Sequence, residues 1–215
     1  HRPIVKAIQR HDCLAVLQLV HMGAEADVKV ALGAVGSISR TTGRRVWPMP
    51  VHEIRHVIDQ YARSAALAAE CLYDGVEIDA SGGSLIAEFL SPAANRRSDA
   101  WGSTQLARFK LALDVVRSTR RALGPNRLIG FRFNLSEMNA QGADWAETTR
   151  LVQMLRMAGI DYLACAFGNP SSPMPTKGYA VAPGAFFEDY TALSSIAGMP
   201  VLFGRELAAP EELEA

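Results

Sequence analysis

The chain has 215 residues, of which 49% are hydrophobic and 20% are charged. This composition is typical of a globular domain with its own apolar core and excludes disordered and collagen-like chains, and no apolar run approaches the roughly 20 residues of a membrane span. Lysine plus arginine and aspartate plus glutamate number 22 each, so the formal net charge is zero. Without a net field toward polyanions, we expect a small-molecule substrate, and neither a nucleic acid nor a membrane surface as partner.

The terminus and the cysteines bear on location. Residues His1 to Lys6 lack the apolar stretch of a signal peptide. Cys13, Cys71 and Cys165 are odd in number, far apart and free of CxxC spacing, which indicates neither a disulfide framework nor a metal site. We expect each cysteine to be a small buried hydrophobe. A reducing, cytoplasmic setting follows as the expectation.

The first half of the chain alternates helix and strand around one long loop. Pro3 to Arg10 is helix-like, and the apolar run Leu14 to Val20 predicts a strand. Gly33 to Pro50 has no apolar period, which predicts a long loop of the kind that usually has a function. Apolar residues then recur every three or four positions from Glu53 to Leu72, which predicts a helix with one buried face. A strand, Gly75 to Ile78, follows it.

The second half repeats this order after a loop rich in glycine and serine. A helix that begins near Leu106 is stopped by Gly124, and Asp144 with Glu147 predicts a cap for a helix through Ala158. The remaining segments have the apolar patterns of three strands and one helix: Leu128 to Phe133, Tyr162 to Phe167 and Pro200 to Phe203 for the strands, and Ala185 to Ile196 for the helix.

Five predicted strands alternate with helices and are centred near Leu17, Val76, Phe131, Cys165 and Leu202. This order predicts a parallel sheet with crossover helices, either doubly wound or closed into a barrel. A doubly wound sheet usually has a glycine-rich fingerprint after its first strand, and the segment from His21 to Glu25 has none. We therefore predict an α/β fold of the (β/α)₈ barrel type, incomplete in this chain. About five βα units, lacking the first strands and the last, would form part of a single domain over residues 1–215.

Polar residues near the carboxyl ends of these strands are the first candidates for a site, because those ends build the active sites of barrels. Gln18 lies in an otherwise apolar strand, where its amide either bonds neighbouring backbone or contacts the edge of a heterocycle. Arg132 lies within the strand LIGFRFN and requires an anion or several acceptors. A ligand and a structural ion pair with Glu77 both satisfy it, and we favour the ligand.

Two weaker signals come from glycine and histidine. Gly204 and Arg205 follow an apolar strand, where backbone N–H groups can approach a phosphate and arginine can supply charge. Glycine also commonly ends a strand, so that pair alone decides nothing. His21 follows the first strand and is interpreted as a core histidine in preference to a ligand contact.

A long stretch of the chain resembles one known family. Residues Tyr73 to Gly102, YDGVEIDASGGSLIAEFLSPAANRRSDAWG, resemble the central signature of the old yellow enzyme family, a G-F-D-G-V-E-I-H strand followed by a F-L-S-P-x-x-N-x-R-x-D-x-Y-G-G loop. Supporting segments follow in the family's order: QLVHMG at 18–23, GFRFN at 130–134, AGIDYLACAFG at 158–168 and PVLFGRELAAPEELEA at 200–215. The form A-S-x-G-S-L is closest to the bacterial branch with dienoyl-CoA reductase-like and mycofactocin-associated members.

The resemblance implies an FMN cofactor at the mouth of the barrel. Gln18 would bond the flavin ring, Arg132 would contact its electron-rich pyrimidine edge, and Gly204 with Arg205 would lie near the phosphate. The implied reaction passes hydride from NADH or NADPH through the flavin to a small organic substrate. An iron–sulfur cluster would belong only to a missing C-terminal segment, and assembly into a homo-oligomer is compatible with the family.

Three positions depart from the family's pattern. The usual His-x-x-His or His-x-x-Asn pair and the following Tyr, which serve substrate binding and protonation, are replaced by Asp79, Gly82 and Ser84. We take Asp79 and Ser84 as the catalytic candidates at these positions. An ionised Asp79 only accepts hydrogen bonds and repels developing enolate charge, so enone reduction is disfavoured relative to oxidation of an alcohol or amine. The alternative is a catalytically degenerate barrel that binds flavin or a partner without turnover.

Overall fold

The computed structural model of the chain describes residues 1–168 and 186–203. Eight strands lie within these residues: β1 Val16–Leu19, β2 Ala31–Gly33, β3 Ser37–Ile38, β4 Arg45–Pro48, β5 Gly75–Ala80, β6 Leu128–Ser136, β7 Tyr162–Phe167 and β8 Val201–Leu202. The large sheet has the order β1-β5-β6-β7-β8, and every neighbouring pair in it is parallel. The five predicted strand centres all fall in this sheet, so the predicted parallel α/β arrangement is confirmed.

Six α-helices lie in the same described residues: α1 Arg2–Gln9, α2 Val51–Glu70, α3 Leu85–Leu90, α4 Gln105–Leu123, α5 Trp145–Ala158 and α6 Phe187–Ala197. Helices α2 and α4 pack against each other and against the large sheet. The sheet face beneath them carries fully buried apolar residues such as Ile78, Phe131 and Leu163. This packing removes most of the apolar surface from water and holds the strands in place.

In β5 alternate residues differ in burial, because they point to opposite faces of the sheet. In β5, Val76 and Ile78 are buried, whereas Glu77 and Asp79 are half-buried. We call the face away from the helices the open face, and it carries Gln18, Glu77, Asp79, Arg132 and Tyr162. In a closed barrel this face lines the interior.

Helix ends follow the predicted signals. Asp144 Oδ1 accepts the backbone N–H of Glu147 at 2.7 Å, which is the predicted cap of α5. Thr104 caps α4 in the same way by accepting from the Ala107 N–H at 3.1 Å. Helix α5 ends at Gly159, whose φ of 105° suits glycine. Within the described residues no helix has the length and hydropathy needed to cross a membrane.

Two sequence expectations are wrong. The segment Gly33 to Pro50 was expected to be a loop, but seven of its 18 residues belong to a small second sheet of order β2-β4-β3. Its strands have two to four residues each, too short for an apolar alternation to show. We call residues 31–49 the cap. The expected burial of cysteines holds for Cys165 but not for Cys13, which is exposed.

Candidate active site

Four polar or small residues of the open face lie side by side. Gln18, Glu77 and Gly130 are in register across β1, β5 and β6, and Tyr162 is next on β7. Gln18 Nε2 donates to Glu77 Oε1 at 2.8 Å, and the Tyr162 hydroxyl donates to Glu77 Oε2 at 3.0 Å. The alternative interpretation of Arg132 as an ion-pair partner of Glu77 is therefore wrong, because Glu77 is bonded to these two residues instead.

Arg132 lies one level closer to the carboxyl ends of the strands. It is in register with Asp79 on one side and Ala164 on the other. The Arg132 side chain is half-buried, and no described residue accepts a hydrogen bond from it or forms an ion pair with it. A guanidinium keeps its charge in every protein environment. Within residues 1–168 and 186–203, the Arg132 guanidinium is therefore left without an acceptor.

Asp79 is the second-last residue of β5, and its side chain stabilises the turn that follows the strand. Asp79 Oδ1 accepts the Ser81 backbone N–H at 2.8 Å and the Ser81 hydroxyl at 2.7 Å. The Ser84 hydroxyl donates to the Asp79 carbonyl oxygen at 3.1 Å, and Ser84 is only 2% exposed. The catalytic roles of both residues stay predictions, and Asp79 is the more accessible of the two.

A cavity of about 520 Å³ lies beside β1. Gln18 lines it from β1, His21 from the segment after β1, Leu32 and Met49 from the cap, and Tyr61 from α2. Its volume is within the range of small-molecule sites. Gln18 therefore lies where the open face meets a cavity that the cap covers.

His21 was interpreted as a core histidine, but it is half-buried and its ring forms a hydrogen bond with the backbone. Its Nδ1 accepts the Gly23 backbone N–H at 3.0 Å, so Nε2 carries the proton of the neutral ring. Burial lowers the pKa of His21, which keeps the ring neutral at physiological pH. His21 can therefore donate one hydrogen bond into the cavity that it lines.

Tyr61 lies on the buried face of α2, where the apolar period of the sequence gives no sign of its polar hydroxyl. Its hydroxyl is buried and has no hydrogen-bond partner among the described residues. Burial raises the pKa of Tyr61 most, and the nearby Asp79 charge raises it further. The His21 backbone offsets part of this rise, although it does not form a hydrogen bond with the hydroxyl. The Tyr61 hydroxyl therefore stays protonated, and Tyr61 lines the cavity.

Glu88 fastens the cap to the barrel. From α3, its two carboxylate oxygens accept the Ala24 N–H at 2.6 Å and the Ala34 N–H at 2.9 Å. A Cβ at Gly23 would lie 2.2 Å from Glu88 Oε1, so glycine is required for this approach. Ala24 follows β1 and Ala34 follows β2, so one half-buried carboxylate joins the strand end to the cap.

Arg97 fastens the other side of the cap. Its Nη1 donates to the Ala34 carbonyl and to the Met49 carbonyl, each at 2.9 Å. Asp99 holds the guanidinium at 2.6 Å, and its own pKa is lowered chiefly by this hydrogen bond to Arg97. The sequence pattern predicts a solvated or ion-paired role for Arg96 and Arg97, and the ion-paired role is confirmed for Arg97, whose side chain is only 12% exposed.

The free energy of unfolding of the full-length protein is expected to fall as the pH rises from about 4.5 to about 7 because of Glu88. Burial raises the pKa of Glu88 from 4.5 to about 7, so in this window the folded state keeps a proton that the unfolded state has lost. The contribution is at most about 3 kcal/mol. Urea unfolding near pH 5 and near pH 8 measures it in the wild type and in Glu88→Gln.

The comparison with Glu88→Gln isolates this carboxylate from other titrating groups. Burial also raises the pKa of Glu137, which contributes with the same sign, and lowers the pKa of His21, which contributes with the opposite sign. Both remain in the variant. An equal change in stability with pH for wild type and variant would exclude Glu88 as the source.

The predicted phosphate-side residues Gly204 and Arg205 lie outside the described residues. Their assignment stays a prediction. Among the residues that the structure does describe, no cluster of three or more His, Cys, Asp or Glu side chains is arranged to hold a metal ion.

The fold and the site together define a class of protein: a barrel-type α/β chain with a polar site at the carboxyl ends of its strands. The chain belongs to the NADH:flavin oxidoreductase / NADH oxidase family, whose model matches residues 1–201. A relative described as an NADH-dependent flavin oxidoreductase from Talaromyces variabilis is 27% identical over 184 residues, covering 76% of this chain and 44% of the relative. An NADH oxidase from Thermoanaerobacter brockii is 28% identical, covering 80% of this chain and 27% of the relative.

Solved structures agree on the fold. A 2-naphthoyl-CoA reductase complex matches with a TM-score of 0.89 at 22% identity, over 99% of this chain and 35% of that one. An old yellow enzyme homologue from Zymomonas mobilis matches with a TM-score of 0.71 at 22% identity, over 94% of this chain and 66% of that one. The incomplete (β/α)₈ barrel is thus confirmed, and the chain spans less than half the length of the curated relatives described above.

Proposed function

We propose that this chain is part of an FMN-dependent oxidoreductase that transfers hydride between a nicotinamide cofactor, the flavin and a small organic substrate. The observation that carries the proposal is Arg132, a half-buried guanidinium without a described partner at the carboxyl ends of the sheet. Asp79 lies beside it in register, and Gln18 lies two strands away beside the cavity. Arg132 contributes a cation, Asp79 a hydrogen-bond acceptor and Gln18 an amide, and all three lie on the open face of neighbouring strands.

The residues present fit a flavin. The pyrimidine edge of its ring carries two carbonyl oxygens and one N–H, which match a guanidinium and the free oxygen of the Gln18 amide. Gly204 and Arg205 are proposed to hold the phosphate. Bound FMN would supply a two-electron carrier that exchanges hydride with a nicotinamide and with the substrate, while the protein supplies binding and electrostatics.

Asp79 shapes the proposed substrate choice. Its Oδ2 has no described hydrogen-bond donor, whereas Oδ1 accepts from Ser81. As an acceptor it can take the proton of an alcohol or pair with a cationic amine, and it opposes negative charge developing on a reduced enone. Oxidation of a small alcohol or amine therefore fits this residue better than reduction of an activated alkene, the family reaction.

Replacing Asp79 with Asn is expected to lower kcat by about tenfold to a hundredfold or to change the substrate preference, because the amide cannot act as a base. Flavin content should stay at the wild-type level, since the proposed flavin contacts are Gln18 and Arg132. Steady-state kinetics with a set of alcohols, amines and enones, together with the flavin absorbance of the purified protein, measures both. Unchanged kinetics on a verified substrate would remove Asp79 from the mechanism.

The full-length protein tests the proposal directly. Purified protein should show flavin absorbance or acquire it on reconstitution with FMN, and stopped-flow mixing with NADH or NADPH should bleach it, followed by reoxidation by an acceptor. Absence of bound flavin under both conditions would reject the proposal. Flavin that binds but is not reduced by either nucleotide would favour the second candidate, a flavin-binding barrel without turnover. The buried Ser84 hydroxyl, engaged by backbone, is the observation that favours this second candidate.

A further inference from the structure

Glu77 lies between two donors on the open face and has no ion-pair partner among the described residues. Its oxygens accept from Gln18 at 2.8 Å on one side and from Tyr162 at 3.0 Å on the other. Glu77 is half-buried, and the described salt bridges do not include it. Hydrogen bonds from Gln18 and Tyr162 therefore stabilise this carboxylate in place of a cation.

Tyr162 reaches Glu77 across a strand because the intervening residue has no side chain. Gly130 is in register with both, and a Cβ there would lie 2.1 Å from the Tyr162 ring. Burial and the Glu77 charge raise the pKa of Tyr162, so its hydroxyl remains a donor to Glu77. The arrangement fixes the Glu77 carboxylate from the side opposite Gln18.

An ionised carboxylate only accepts hydrogen bonds, so Gln18 must turn its NH₂ group toward Glu77. The Gln18 oxygen then points away from Glu77, and no described residue donates to it. We infer that Glu77 is a positioning residue that fixes the orientation of the Gln18 amide, so that the site selects a ring edge bearing an N–H donor. This inference rests on the proposed function, since it concerns how the chain chooses among flavin-like rings.

The test compares FMN with N3-methyl-FMN, which lacks the N–H of the pyrimidine edge. Both are titrated into full-length apoprotein, and the ratio of their Kd values is measured by flavin fluorescence. We expect wild-type protein to bind FMN about tenfold more tightly, the effect of one buried hydrogen bond. In Glu77→Gln the ratio should fall to about two, because an amide at position 77 accepts or donates and Gln18 becomes free to flip.

Tyr162→Phe is the matched control. It removes the other hydrogen bond to Glu77 but leaves the carboxylate and its bond to Gln18, so the ratio should stay within about threefold of wild type. In a Gln18→Ala background, where no amide remains to be oriented, Glu77→Gln should change the ratio no further. Gln18 is exposed, so Gln18→Ala tests the acceptor even if Glu77→Gln does not fold.

The outcomes separate this inference from the function on which it rests. Wild-type protein that binds neither ligand rejects the proposed function. Wild-type protein that binds FMN, with a ratio preserved in Glu77→Gln or in Gln18→Ala, overturns the inference and leaves the function standing. A ratio lost in Glu77→Gln and in Gln18→Ala but kept in Tyr162→Phe supports Glu77 acting through Gln18.

Discussion

Replacing Arg132 with Met is expected to weaken flavin binding by about a hundredfold. The guanidinium lies at the carboxyl ends of the sheet, in register with Asp79 and without a described acceptor, so the proposed ligand is its partner. Loss of a charge-assisted contact in a partly buried site has an effect of about this size. Methionine keeps most of the side-chain length, which separates the loss of charge from the creation of a cavity. Titration of full-length apoprotein with FMN gives the Kd.

Stability is the control for Arg132→Met. Since Arg132 has no described partner to lose, the variant should unfold at nearly the wild-type urea concentration. Arg117→Met, on the exposed side of α4 where Arg117 lies 3.6 Å from Asp114, should leave the Kd for FMN unchanged. An Arg132→Met protein with wild-type affinity for FMN would remove Arg132 from the flavin site.

Replacing Arg120 with Met is expected to lower the free energy of unfolding by about 3 kcal/mol. Arg120 joins the end of α4 to the starts of two strands: it donates to the carbonyls of Gly124, Arg127 and Gly159 and to Asp161 Oδ2 at distances of 2.5 to 3.0 Å. Asp161 Oδ2 also accepts the Ile129 N–H at 2.7 Å. The substitution leaves several partly buried acceptors without a donor, and urea unfolding of the full-length protein measures the loss.

The neighbouring Arg121→Met is the matched control. Arg121 is exposed and donates only to the Ser118 hydroxyl among the described residues, so its loss should change the free energy of unfolding by less than about 0.5 kcal/mol. Similar destabilisation by both substitutions would show that the helix, and not the Arg120 hydrogen bonds, accounts for the effect.

The large sheet could be predicted because its signals are local. Strands such as the one around Phe131 are continuous apolar runs, typical of parallel strands buried by helices, and the helix patterns between them have a clear period. The Asp144 cap is likewise a signal within four residues. These features depend on residues that are neighbours in sequence, so they can be predicted from the sequence alone.

The cap and the bonds around Glu88 could not be predicted for the opposite reason. Strands of two to four residues show no period, and Glu88 bonds backbone groups of residues 24 and 34, which are distant in sequence. A charged residue in the apolar run SLIAEFL was the available sign of a buried polar contact. The partners of Glu77 stayed open in the sequence because strand register, which decides between Arg132 and Tyr162, is not readable from one sequence.

The site was predicted in part. Gln18 and Arg132 were chosen because polar side chains inside apolar strands need partners, and the structure places both on the open face. Tyr61 was missed, because a tyrosine on the apolar side of a helix has the same sequence signal whether or not its hydroxyl finds an acceptor. Whether a buried hydroxyl finds a hydrogen-bond partner depends on residues that the fold brings together, so it cannot be predicted from the helix alone.

The attachment of the cap has a consequence for how this protein can diversify. A single nitrogen of Arg97 donates to the carbonyls of Ala34 and Met49, so the segment between these two residues of the cap is anchored at both ends by one side chain. The entropic cost of closing a loop grows only slowly with its length. Residues 35–48, which include β3 and β4, can therefore be exchanged for shorter or longer segments without disturbing the large sheet, which makes the cap a natural graft site for changing what enters the cavity.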